Sequence, residues 1–77
     1  MDILIELKSE NDYLEFCESR REYLKRRSHE LINKSELNED EYFTNLYLPH
    51  EFDDINSKIY LCKLRIDELN KKLNLFN

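Results

Sequence analysis

Apolar residues recur along the last third of the chain with the period of a packed helix. Phe52, Ile55, Ile59, Cys62, Ile66, Leu69, Leu73 and Phe76 are separated alternately by three and four residues. That lattice puts every member on one stripe of a helix about seven turns long. Asp53 and Asp54 stand near its start and Lys71 and Lys72 near its end, the order a helix dipole favours. Asp54 with Lys58, Asp67 with Lys71 and Glu68 with Lys72 add acid-before-base pairs one turn apart. The pattern predicts a helix over residues 51–76.

The first third carries a similar stripe. Ile3, Leu7, Leu14, Cys17, Leu24 and Leu31 share one three-four lattice, which Glu10, Arg21 and Ser28 interrupt. Acidic residues (Glu6, Glu10, Asp12, Glu15, Glu18) fill its first half and basic ones (Arg20, Arg21, Lys25, Arg26, Arg27) its second. A helix over residues 3–33 follows, with Ile3-Leu4-Ile5 the one stretch where an extended start competes.

Residues 34–50 connect the two. Asn38 followed by Glu41 has the spacing of a capping box, in which each residue satisfies the other's free backbone N–H. Tyr42, Phe43, Leu46 and Tyr47 then fall on one side of a short amphipathic helix. Pro49 either ends it or opens the next helix.

Charge sets the relative direction of the long helices. If they run antiparallel, the acidic start of the first meets Lys63, Arg65, Lys71 and Lys72, and its basic end meets Glu51, Asp53 and Asp54. Parallel packing would oppose like charges. The predicted fold is an all-α antiparallel helical hairpin with a short connecting helix, one domain over residues 1–77. Two helices touching along one line leave Tyr60, Leu61, Leu64 and Leu75 outside the second stripe, and Tyr13, Phe16 and Tyr23 outside the first. Apolar patches of this kind mark interfaces. The connecting helix is expected to cover some. Self-association through Tyr60, Leu61 and Leu64 into a helical bundle would cover the rest.

Composition sharpens this picture. With 77 residues the chain buries a modest core, so regular helices or association must supplement it. Glycine, alanine and valine are absent, Thr44 is the only threonine and Pro49 the only proline, which disfavours tight hairpin turns and strands. A hydrophobic share of 40% argues against intrinsic disorder. Net charge is −5, a poor basis for non-specific binding to nucleic acid or anionic membrane. No apolar run reaches transmembrane length and the first residues lack a signal-peptide pattern. The expected setting is therefore cytoplasmic, inside a cell that is the protein's own or a host's, with reduced thiols. The wealth of Asn, Lys, Ile and Tyr fits AT-rich coding, a bias shared by viruses, phages and some bacteria.

The chemistry-bearing residues are sparse. Cys17, Cys62, His29 and His50 do not stand at metal-ligand spacing, so neither a metal nor another cofactor is expected. Both cysteines lie on stripes, as small buried thiols do. Ser28, His29 and Glu30 are neighbours in sequence and point in different directions on a helix, so they form no triad. A phosphate-cradling loop needs glycine. The basic run of the first helix spreads around its circumference with Glu18, Glu22 and Glu30 interleaved, whereas a phosphate-tracking stripe keeps its charges on one face. Phe16, Arg20, Tyr23 and Arg27 do share a face, and aromatic rings with guanidinium groups are typical of binding hot spots. The plainer alternative is that Phe16 and Tyr23 pack beneath Tyr42, Phe43 and Tyr47. The function expected is that of a non-enzymatic protein-binding module, an adaptor or inhibitor acting by occlusion or bridging. A small nucleic-acid-binding regulator using the basic half of the first helix is the alternative.

Overall fold

A computed structural model describes residues 2–75; Met1, Phe76 and Asn77 lie outside the described residues, and with Phe76 the last member of the second stripe. Two α-helices account for almost all of them: α1, Ile3–Ile32, and α2, Glu39–Leu75. The all-α antiparallel hairpin expected from the stripes is the fold found. Side-chain contacts confirm the direction: Arg65 meets Glu10 at 3.4 Å at one end, and Arg20 meets Glu51 at 3.7 Å further along.

α1 begins at once, with no extended segment. The Asp2 carboxylate accepts the Leu4 N–H at 2.9 Å and so caps the first turn. At the other end Asn33 closes the helix with right-handed backbone (φ −83°, ψ −3°), its N–H donating to the His29 carbonyl at 3.2 Å. A chain without glycine avoids the left-handed cap that many helices use. The loop, residues 33–38, accordingly contains no positive φ.

The capping box opens α2. The Asn38 side chain accepts the Glu41 N–H at 2.8 Å, and the Glu41 carboxylate accepts the Asn38 N–H at 3.2 Å. The same carboxylate pairs with Lys34 across the loop. Glu41 is only 7% exposed, yet both its oxygens are engaged, which is what makes a charge tolerable there.

The connection differs from the sequence-based expectation. The segment with Tyr42, Phe43, Leu46 and Tyr47 is helical, but it is the first part of α2 and not a separate connecting helix. Pro49 lies inside α2. It has no N–H to donate to the Asn45 carbonyl, and in a helix interior that costs about 3 kcal/mol. Both residues are exposed, so water can serve the carbonyl. The offsetting gain lies one position earlier. Leu48 is buried against α1, and burying a leucine contributes about 1.5–3 kcal/mol. The cap and ion pair at Glu41 add to it. A break at Pro49 would forfeit both.

Burial follows the stripes. On α1, Cys17, Leu24 and Leu31 are buried; on α2, Glu41, Leu48, Ile55, Ile59, Cys62 and Leu69 are. Leu48 and Glu41 continue the Phe52 lattice backward in steps of the same heptad. Leu14, Leu37 and Phe52 pack at the margin of this core. The interrupting residues of α1 are half-buried in the seam, and Arg21 reaches Asn56 at 3.4 Å. The molecule measures 58 × 17 × 15 Å with a radius of gyration of 17.4 Å. A compact chain of this length would have a radius of about 11.5 Å. The hairpin is long and one layer thick.

Two outcomes test this account. Pro49→Ala should raise stability by about 1–3 kcal/mol in thermal or urea unfolding, because α2 regains an internal donor. A neutral or destabilising effect would place a helix start at Pro49. Glu41 is held below its ordinary carboxyl value of 4.5 by the Lys34 hydrogen bond first and the Asn38 N–H second. A depressed pKa stabilises the fold above that value and ceases to as pH falls below it through the folded pKa. Glu41→Gln should therefore be less stable than wild type at neutral pH. The gap should close below about pH 4.5 in urea melts run across a pH series.

Candidate binding faces of the hairpin

With one seam buried, candidate working surfaces are the outward faces. The plainer alternative for α1, that Phe16 and Tyr23 lie beneath the connector, does not hold. Phe16 is 66% exposed and Tyr23 45%, while Tyr42, Phe43, Leu46 and Tyr47 are themselves about half exposed. The connector runs on along α2 and so covers neither face.

The four α1 residues stand along one flank of the hairpin. The Arg20 guanidinium lies 4.9 Å from the centre of the Tyr23 ring, a cation–π contact, and also meets Glu51 of α2. Phe16 and Arg20 line one groove between the helices, about 340 Å³, together with Tyr13, Glu51, Asp54 and Lys58; Cys17 and Ile55 belong to its wall. Arg27 stands at the end of the stripe, held to Glu30 at 3.1 Å. Phe16, Arg20 and Tyr23 therefore form one patch, and Arg27 extends it. The sequence pattern puts Tyr13 at the edge of this stripe and Glu51 opposite the basic end of α1, but it does not place Lys58 in the groove. The signal for Glu51 was the antiparallel register, which sets Arg20 beside it.

The basic run is largely occupied internally. Arg20 pairs with Glu51, Lys25 with Glu22 at 3.3 Å and Arg27 with Glu30, while Arg21 turns inward to Asn56. These contacts leave fewer of its cations to meet phosphate.

Tyr60, Leu61 and Leu64 are 63%, 55% and 43% exposed on the face of α2 turned away from α1. Asp54 holds Lys58 at 2.9 Å, as the sequence spacing predicts, whereas the pairs expected between Asp67 and Lys71 and between Glu68 and Lys72 do not form among the described residues.

The thiols are free and buried. The register sets Cys62 against Glu10, with Cys17 further along the seam. The Cys62 thiol donates to the Glu10 backbone carbonyl at 3.1 Å and faces its carboxylate at 3.2 Å, and Arg65 takes the same carboxylate oxygen. Burial, then the hydrogen bond to Glu10, pushes the Cys62 thiol above its ordinary value. This arrangement suits a quiet structural thiol, because the reactive thiolate is disfavoured. Among the described residues no three His, Cys, Asp or Glu side chains gather as metal ligands, and no helix is long and apolar enough to cross a membrane. Comparison with protein-family models, curated proteins and solved structures finds no match.

Thiol titration of the folded protein at mildly alkaline pH should show both cysteines reacting far more slowly than in denaturant. Glu10→Ala should speed Cys62 without unfolding the chain, since it removes the carboxylate that raises the thiol. Rapid native labelling of both would contradict the register.

Proposed function

We propose that this protein is a non-enzymatic protein-binding module, an adaptor or inhibitor that acts by covering or bridging surfaces. The observation that carries this reading is the distribution of apolar area. Among the described residues, fourteen large hydrophobic side chains are exposed, against eight fully buried hydrophobic residues in the core. A chain that leaves this many large apolar groups open to solvent has surfaces suited to a partner. The patch of Phe16, Arg20 and Tyr23, with Arg27 beyond it, is the primary contact proposed. Its rings are only partly covered, and Arg20 is held by Tyr23 and Glu51 with about half its side chain open. A guanidinium so placed can fork onto a carboxylate of the partner at small ordering cost. The ion pairs along the basic run weigh against the alternative of a nucleic-acid regulator. Self-association through Tyr60, Leu61 and Leu64 is the other way to cover apolar area, and light scattering at micromolar concentration reads it directly.

The test is capture of partner from a lysate of the native source by tagged wild type and by an Arg20→Ala/Arg27→Ala double variant. Each substitution should weaken binding by roughly 1–2 kcal/mol, within the hot-spot range. Helicity and melting temperature should stay near wild type, because the Arg20 pair is open to solvent and the Arg27 pair has its Glu30 end exposed, and such pairs contribute about 0–1 kcal/mol. Full retention of the partner by a folded double variant would remove this face from consideration.

A further inference from the structure

The outward face of α2 carries a second pattern that the α1 patch does not explain. In the heptad frame set by the buried seam, Phe43, His50, Ser57, Leu64 and Lys71 point directly away from α1. The two columns beside them complete a face exposed throughout. Along this face the character alternates heptad by heptad. Phe43, Leu46 and Tyr47 form an apolar group. Asp53 and Asp54 follow, then Tyr60, Leu61 and Leu64, then Asp67 and Glu68. Of the four acids, Asp54 holds Lys58; the other three make no ion pair among the described residues. Successive groups are about 10 Å apart along the axis, from a rise of 1.5 Å per residue.

This alternation decides between two occupants. A second copy packed antiparallel, laying one apolar group on the other, brings Asp53 and Asp54 of both copies together at the two-fold axis. A second copy packed parallel and in register lays each acidic pair on itself. Either way carboxylates oppose carboxylates. A third register, which lays Tyr60, Leu61 and Leu64 of each copy on the other antiparallel, brings Asp53 to Lys71 but leaves Asp67 and Glu68 of both copies without a cation and joins two chains of net charge −5. Charge therefore disfavours self-association in every register. A helix whose apolar groups alternate with arginine or lysine at heptad spacing satisfies both halves of the pattern, in either direction. We infer that the outward face of α2 is a docking site for a basic amphipathic helix of a partner protein. The apolar groups anchor it, and the acidic pairs set its register and exclude acidic competitors. This face borders the α1 flank patch at Asp54, which also lines the groove beside Phe16 and Arg20, while its apolar groups lie outside that groove, so the hairpin has two surfaces with which to bridge.

Fluorescence anisotropy with a labelled synthetic helix tests the inference. The peptide is about 28 residues, four heptads, with leucines in alternate heptads of one face and arginines in the others; a control carries glutamate for arginine. The arginine peptide should bind with micromolar affinity that falls as salt rises, and the glutamate peptide at least about tenfold more weakly. Asp53→Lys/Asp67→Lys should weaken the arginine peptide about tenfold or more while circular dichroism stays unchanged. Arg20→Ala/Arg27→Ala should bind it as wild type does, so failure of the α1 patch and failure of this face are distinguishable. Equal binding of the two peptides, or full affinity in the Asp53→Lys/Asp67→Lys variant, overturns the inference. So does a dimer in light scattering that dissociates on Tyr60→Ala/Leu64→Ala substitution.

Discussion

Two helices meet along one line, and that geometry limits what a hairpin can bury. Each helix offers its partner a single stripe, about two positions in every seven. α1 spends its stripe on Cys17, Leu24, Leu31 and their half-buried neighbours, and α2 on the heptad series from Glu41 to Leu69. Nothing folds back over the remaining surface among the described residues. The elongated shape, the small core and the exposed aromatic residues all come from this one constraint. Stability must therefore come from length, regular helices and capped ends more than from a deep interior.

Polar groups in the seam then fix how the line is drawn. A purely apolar stripe tolerates a slip of one heptad, because leucine meets leucine either way. Here Glu10 receives both the Cys62 thiol and Arg65, Arg21 reaches Asn56, and Lys34 holds Glu41 at the loop end. A slipped pairing would strand Glu10 and Arg21 in the seam without partners. These residues interrupt the hydrophobic pattern of α1, and the interruption is what specifies a single register.

Much of this was legible in the sequence. The three-four lattices named the buried positions of α1 and those of α2 from Ile55 onward, but not Leu48 or Glu41; Asn38 and Glu41 named the cap, and the charge gradients named the direction. Pro49 concealed the length of α2. Local propensity marks a proline as a helix boundary, and tertiary burial of Leu48 overrode it. The signal that would have shown this is the lattice itself, since stepping back from Phe52 by four, three and four reaches Leu48, Asn45 and Glu41. The same proline made Tyr42, Phe43, Leu46 and Tyr47 look like the buried side of a separate helix. Once α2 is continuous, those side chains rotate to its outside. The candidate patch of Phe16, Arg20, Tyr23 and Arg27 was readable as a shared helical face and Glu51 as its neighbour from the charge pattern, but the groove was not, because Lys58 and the walls of Cys17 and Ile55 join it only through the fold.

The central claim is that the free protein holds its large aromatic side chains open to solvent on two outward surfaces while one seam stays closed. Hydroxyl-radical footprinting of the free chain, read residue by residue by mass spectrometry, tests it most directly. Phe16 and Tyr60 should be oxidised at well over half, and Tyr23 and Phe43 at roughly half, of their rates in the denatured chain, with Leu24, Leu48 and Ile59 strongly protected. Protection of Phe16, Tyr23, Phe43 and Tyr60 in the free protein, comparable to that of Leu24, would mean that these faces are already covered and would contradict the account.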